Sequence, residues 1–187
     1  MTETADTLKM TVRAALLAAL IAAGAYIAIP VGPVPIVLQN LFIYLAGILL
    51  GPRWGSAAVG VYLLAGLCGL PVFAGGTGGI GRLAGPTGGY LMGFLPAVWV
   101  VGAVSRLGRG RVIYDVIGMI LGTAIIYLLG VGWLMVVTGL APAKALAAGM
   151  LPFLPGDAAK IAAAAVIARA VRPVIDESAD ERSPDSA

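Results

Sequence analysis

From Val116 to Ala143 the chain reads VIGMILGTAIIYLLGVGWLMVVTGLAPA, with no charged side chain anywhere in the run. A bilayer core of about 30 Å needs only some 20 apolar residues as helix, so this stretch alone points to a membrane. Working outward, no charge lies between Arg13 and Arg53, between Arg53 and Arg82, or between Arg82 and Arg106. Of the 187 residues 60% are hydrophobic and 11% charged, and the mean hydropathy is +0.99. Soluble domains hold about half apolar and roughly a quarter charged residues. A soluble globular domain is therefore excluded, and the few polar groups inside the spans become the candidates for function.

Pro and Gly punctuate the apolar runs, as they must where turns lie at the rims or inside protein. Six helices are predicted: Met10–Ile29, Val34–Leu50, Trp54–Leu70, Pro86–Ser105, Arg111–Thr138 and Gly156–Val171. The expected fold is an all-α integral membrane protein, a bundle of six transmembrane helices. Its long loops join helices three and four (Pro71–Gly85) and helices five and six (Gly139–Pro155). Residues 1–8 form a polar N-terminal tail, 9–172 the transmembrane domain, and 173–187, acidic from Asp176 onward, a disordered tail. Ala23-Gly24-Ala25 fits a signal cleavage site, but Glu3, Asp6 and an apolar run continuing to Ile29 argue against one.

Basic residues set the orientation. With the N-terminus inside, Lys9, Arg13, Arg53, Arg106, Arg109, Arg111, Arg169, Arg172 and Arg182 fall on the inner face, and Arg82, Lys144 and Lys160 on the outer. That bias predicts a multi-pass membrane protein with both termini cytoplasmic and both long loops outward. With no His and one Cys (Cys68, read as an apolar packing residue), the chain offers no disulfide framework, thiolate–imidazole metal site or His base.

Four polar or small-residue patterns stand out. Ala14, Ala18 and Ala22, with Ala15, Ala19 and Ala23 beside them, make a flat strip on the first helix, suited to internal packing or to docking another membrane subunit. Gly76, Gly78 and Gly81 match G-x-G-x-x-G, but that fingerprint needs a soluble βαβ unit; here it reads as a loop able to fold over a guest, ending at Arg82. Next comes Pro86-Thr87-Gly88-Gly89-Tyr90, with Pro86 and Thr87 suited to a helix start and Tyr90 offering a flat face with a polar tip. The sharpest pattern is Pro155-Gly156-Asp157-Ala158-Ala159-Lys160. Asp157 lies only about 18 Å of helix from Arg169, so both charges sit below the outer surface if Arg169 is at the inner rim. Each such charge costs about 2.5–3.5 kcal/mol near the membrane centre. A capping pair would explain the Asp, but a Lys opposes the helix dipole there; a site wanting an acceptor and a cation explains both. Gln39 and Asn40, adjacent amides at the start of the second helix, are too polar to face lipid. No phosphate-binding G-x-x-x-x-G-K-[ST] occurs, so the chain hydrolyses no ATP through such a loop.

VPVPIVLQN, PVFAGGTGGIGRLAGPTGGYLMGF and PGDAAK, in that order, resemble the BioY family, the biotin-specific substrate-capture (S) components of energy-coupling-factor (ECF) transporters. The resemblance covers nearly the whole chain apart from its tails, with departures at Val37 and Asn40, where the family usually and often, respectively, has Thr. It implies a protein that is not an enzyme and takes no cofactor, with biotin as its transported ligand. Asp157 and Lys160 would hold the bicyclic head, the carboxylate accepting ureido N–H groups and the ammonium donating to the carbonyl oxygen. Tyr90 and Phe73 would line the apolar part, with Thr87 and Gln39 as further contacts. Arg82 or Lys160 would meet the valerate carboxylate. The implied partners are a coupling transmembrane subunit, docked through Ala14, Ala18 and Ala22, and two cytoplasmic ATP-binding subunits, with no nucleic acid. The rivals are an S component for thiamine or riboflavin, disfavoured by an aromatic content of 7%, an intramembrane enzyme, disfavoured by the lack of His, and a purely structural subunit.

Overall fold

Helix follows helix with little else between them. The computed structural model describes residues 2–30 and 33–180. In chain order it forms α1 (Thr2–Tyr26), β1 (Ala28–Ile29), β2 (Ile36–Val37), α2 (Gln39–Leu67), α3 (Gly81–Ala84), α4 (Gly88–Leu107), α5 (Val112–Thr138), α6 (Pro142–Gly149) and α7 (Leu154–Asp180). Among the described residues, four helical stretches are long and apolar enough to cross a membrane: Thr4–Tyr26, Gln39–Leu67, Gly88–Leu107 and Val112–Thr138.

The second of these doubles back. Gly51 (φ 75°, ψ −176°) interrupts α2 just before Pro52, in a region of backbone space essentially reserved for glycine. Tyr62 Oη donates to Gln39 Oε1 at 3.4 Å although 23 positions separate them, which a straight helix would hold about 35 Å apart. Residues 39–50 and 53–67 therefore lie side by side, running in opposite directions. A β-carbon on Gly51 would collide with the Arg106 guanidinium, whose Nη2 donates to Leu50 O at 3.3 Å.

α4 packs against both α2 and α5, α1 against α2, and α7 against α2 and α5. Large apolar side chains also cover the outside: Leu128, Val136 and Val166 are exposed, while Ile43, Val98 and Leu134 are buried. An exterior as apolar as the core is the surface expected of helices bathed in lipid. At the end of the bundle where α4 passes into α5, Asp115 is buried. It accepts from Ser105 Oγ at 2.5 Å and from Arg172 Nη2 at 3.1 Å, tying α4, α5 and α7 together.

Several sequence expectations change. α1 starts at Thr2, inside the expected polar tail, and stops at Tyr26. α2 starts at Gln39 rather than Val34, because Pro35 disfavours helical backbone at Val34 and the chain instead forms an antiparallel pairing, Ala28 opposite Val37 and Ile29 opposite Ile36. Both long loops carry short helices, α3 and α6. The 73–79 loop is bonded to itself and to α2 through Phe73 N→Thr77 O (2.8 Å) and Gly79 N→Gly66 O (2.7 Å). α7 continues to Asp180, so the expected disordered tail is helical over 173–180; residues 181–187 lie outside the described residues. Cys68 is exposed, not packed.

Packing divides the alanines of α1 into two edges. Ala14 and Ala18 are each only 6% exposed and belong to the core, with Ala22 packed against it. Ala14 and Ala18 thus pack within the chain's own bundle, while Ala22 is only half-buried. Ala15, Ala19 and Ala23, one position on, are the exposed alanines.

Candidate ligand-binding site

The site lies away from the Asp115 cluster and draws on several elements. The proline-rich segment before α2 supplies Val34, and the first turn of α2 supplies Gln39 and Asn40. The loop before α4 brings Phe73 and Arg82, the start of α4 Thr87 and Tyr90, the middle of α5 Tyr127, and α7 Asp157 and Lys160. They line a cavity of about 120 Å³. That is several times the minimum of about 10–15 Å³ needed to admit a single water, so the hollow is large enough for a guest bigger than water.

All seven residues singled out for ligand contact, Asp157, Lys160, Arg82, Tyr90, Phe73, Thr87 and Gln39, line this one cavity. Asp157 and Lys160 are 4% and 8% exposed. Lys160 Nζ donates to Asp157 Oδ1 at 2.9 Å, and both residues line the hollow. The pair is thus more than a cap turned on itself. Arg82, half-buried, is absent from the three ion pairs among the described residues. The charged lining residues are Arg82, Asp157 and Lys160, two cations and one anion, so the cavity wall carries a formal excess of one positive charge.

The aromatic wall is held from behind. Phe73 stacks edge-on against Tyr62 with ring centroids 5.6 Å apart. Tyr90 Oη donates to Gly149 O at 2.7 Å, and its ring lies so close to Gly130 that a β-carbon there would strike it. Gln39 is buried and its Oε1 accepts from Tyr62, so its side chain serves the wall as well as the hollow. Thr87 caps α4 through its backbone carbonyl, which accepts from Tyr90 N (3.1 Å) and Leu91 N (3.2 Å); its side chain makes no capping bond. Asn40 Oδ1 is buried without a hydrogen-bond partner.

Sequence reasoning missed Tyr127. Its hydroxyl donates to Asp157 Oδ2 from thirty positions away. A phenol in a charge-free membrane run needs an acceptor, but nothing in its own segment says where that acceptor lies. Among the described residues no group of three or more His, Cys, Asp or Glu is placed to hold a metal ion.

Residues 1–177 match the model of the BioY family. Curated relatives include the probable biotin transporter BioY of Pyrococcus horikoshii, 44% identical over 154 residues, spanning 82% of this chain and 90% of the relative. The biotin transporter BioY of Thermotoga maritima is 41% identical over 162 residues, 86% of this chain and 94% of the relative. Among solved structures, a crystal structure of the S-component for biotin from an ECF-type ABC transporter superimposes with a TM-score of 0.84. It is 32% identical in sequence and covers 90% of this chain and 93% of that one.

Proposed function

From the premise that the chain belongs to the BioY family, we propose that it captures biotin at the membrane and works as the S component of an ECF-type uptake transporter. The observation that carries the reading is the buried Asp157–Lys160 pair lining a cavity large enough for a guest bigger than water. Burying an ion pair is rarely a gain for stability alone, so its place beside a hollow is best explained by a polar guest. Biotin suits the lining. Its cyclic urea offers N–H donors to Asp157 and a carbonyl oxygen to Lys160, its thiophane ring and aliphatic chain suit Phe73, Tyr90 and neighbouring apolar groups, and its carboxylate is ionised at neutral pH.

The charge count supports the same ligand. A monoanion neutralises the single positive excess of the wall; a cation such as thiamine doubles it, and neutral riboflavin leaves it uncompensated. Lys160 already has Asp157 as counter-charge, so Arg82 is the residue for the valerate carboxylate. Thr87 and Gln39 complete the polar lining.

The arrangement within the membrane is part of this reading. Counting the two arms of α2 separately and including α7 gives six crossings, spread over residues 9–172. Arg106, Arg109, Arg111 and Arg172, all at the Asp115 end, mark that end as cytoplasmic, with both termini there and the cavity opening outward. Energy comes from partners, a coupling membrane subunit and two cytoplasmic ATP-binding subunits, and the exposed Ala15, Ala19 and Ala23 edge of α1 is where the coupling subunit approaches. Titration calorimetry of the detergent-purified protein with biotin, thiamine and riboflavin tests the ligand: binding is expected for biotin alone, and well-folded protein that ignores biotin rejects the assignment.

A further inference from the structure

Four residues between Val116 and Ala143 carry polar side chains: Thr123, Tyr127, Trp133 and Thr138. Thr123 and Thr138 return their hydroxyl protons to their own helix, at Met119 O (2.7 Å) and Leu134 O (2.6 Å), and Trp133 Nε1 donates to Gly85 O at 3.0 Å. Of the four, Tyr127 is the one whose proton goes to an ionisable group, Asp157 Oδ2, while its ring lines the cavity. Asp157 is therefore held at both oxygens. Lys160 holds Oδ1 from the same helix, three residues on; Tyr127 holds Oδ2 from α5 and ties the carboxylate to a second helix. A carboxylate accepts about four hydrogen bonds, so two protein donors leave acceptor capacity on each oxygen, in directions that both anchors fix.

We propose that Tyr127 is a positioning residue for ligand capture: its hydroxyl locks the Asp157 carboxylate so that a free lone pair faces the N–H of the bound cyclic urea. The proposal rests on the biotin reading and deepens it. With Oδ2 released, the carboxylate swivels about its own side-chain bonds, and the acceptor is no longer pre-aimed.

The test is a double-mutant cycle read by calorimetric titration with biotin, on detergent-purified full-length protein. Tyr127→Phe, which keeps the ring, is expected to weaken binding about tenfold, and Asp157→Asn by at least as much. The double variant is expected to bind within twofold of Asp157→Asn, because the phenol acts through that carboxylate. Combined with Arg82→Gln instead, Tyr127→Phe is expected to multiply its effect independently. A Tyr127→Phe protein that binds biotin within twofold of the wild type overturns the inference and leaves the biotin reading standing; so does a loss that multiplies with that of Asp157→Asn, the mark of mere packing. Wild-type protein that binds no biotin overturns both. Should Tyr127→Phe not fold, infrared spectra of the wild type and Asp157→Asn decide instead. A phenol C–O band that shifts with the substitution supports the tether, and unchanged tyrosine bands overturn it.

Discussion

Arg82 and Lys160 are both cations on one cavity wall, and their surroundings separate their tasks. Lys160 lies 2.9 Å from the Asp157 carboxylate, whereas Arg82 stands outside the described ion pairs with its charge available to a guest. Arg82→Gln should therefore weaken biotin binding by about tenfold or more, the worth of one charge-assisted hydrogen bond. The same variant should bind biotin methyl ester as well as the wild type does, and equal losses for acid and ester in calorimetry would separate Arg82 from the carboxylate. At this scale the Pro-Gly-Asp-x-x-Lys spacing was legible without coordinates, because two charges in the otherwise uncharged run between Lys144 and Arg169 demand an explanation. Tyr127 was not legible, because the spacing of its own segment says nothing about an acceptor thirty residues away on α7.

Elements show where local rules reach their limit. Gly51-Pro52 reads as a break from sequence, and α2 does break there, with Gly51 at φ 75° against the Arg106 guanidinium. Gly51→Ala should cost about 1–3 kcal/mol, the usual strain of a side chain in that backbone region, seen as a lower thermal midpoint in detergent; an unchanged midpoint would mean that the turn rearranges freely. α1 makes the complementary case. Its alanines announce a strip, but three-and-four spacing describes two adjacent edges equally well, and only packing against α2 decides that Ala14 and Ala18 face inward. Ala18→Trp should accordingly impair folding. Ala19→Trp should leave folding and biotin binding intact while abolishing co-purification with the coupling subunit, and retained co-purification would move the contact elsewhere.

The whole molecule divides its polar groups between two ends. One end holds the cavity with Asp157, Lys160 and Arg82; the other holds Ser105, Asp115 and Arg172. The second cluster joins three helices around a carboxylate only 1% exposed. Arg172→Met leaves that carboxylate without its ion pair, and breaking such a buried pair costs about 3–5 kcal/mol, toward the lower figure because the Arg172 side chain is 22% exposed. Thermal unfolding should show the loss while calorimetric biotin affinity stays within twofold of the wild type. A large fall in affinity in still-folded protein would instead mean that the two ends are coupled.

Local chemistry along the chain was enough to establish a helical membrane protein, its breaks at Gly and Pro, the asymmetry of its basic residues, and one acid and one amine isolated in an apolar run. Those features depend on neighbours within a few turns, where hydropathy, backbone freedom and charge act directly. Tertiary structure alone decided that 39–50 and 53–67 lie back to back, which alanines of α1 are buried, that the expected lining residues share one hollow, and that Tyr127 reaches Asp157 while Arg172 reaches Asp115. Such pairings depend on how helix faces rotate and pack against one another. In a chain where lipid-facing and core-facing side chains are equally apolar, hydropathy cannot say which face turns inward.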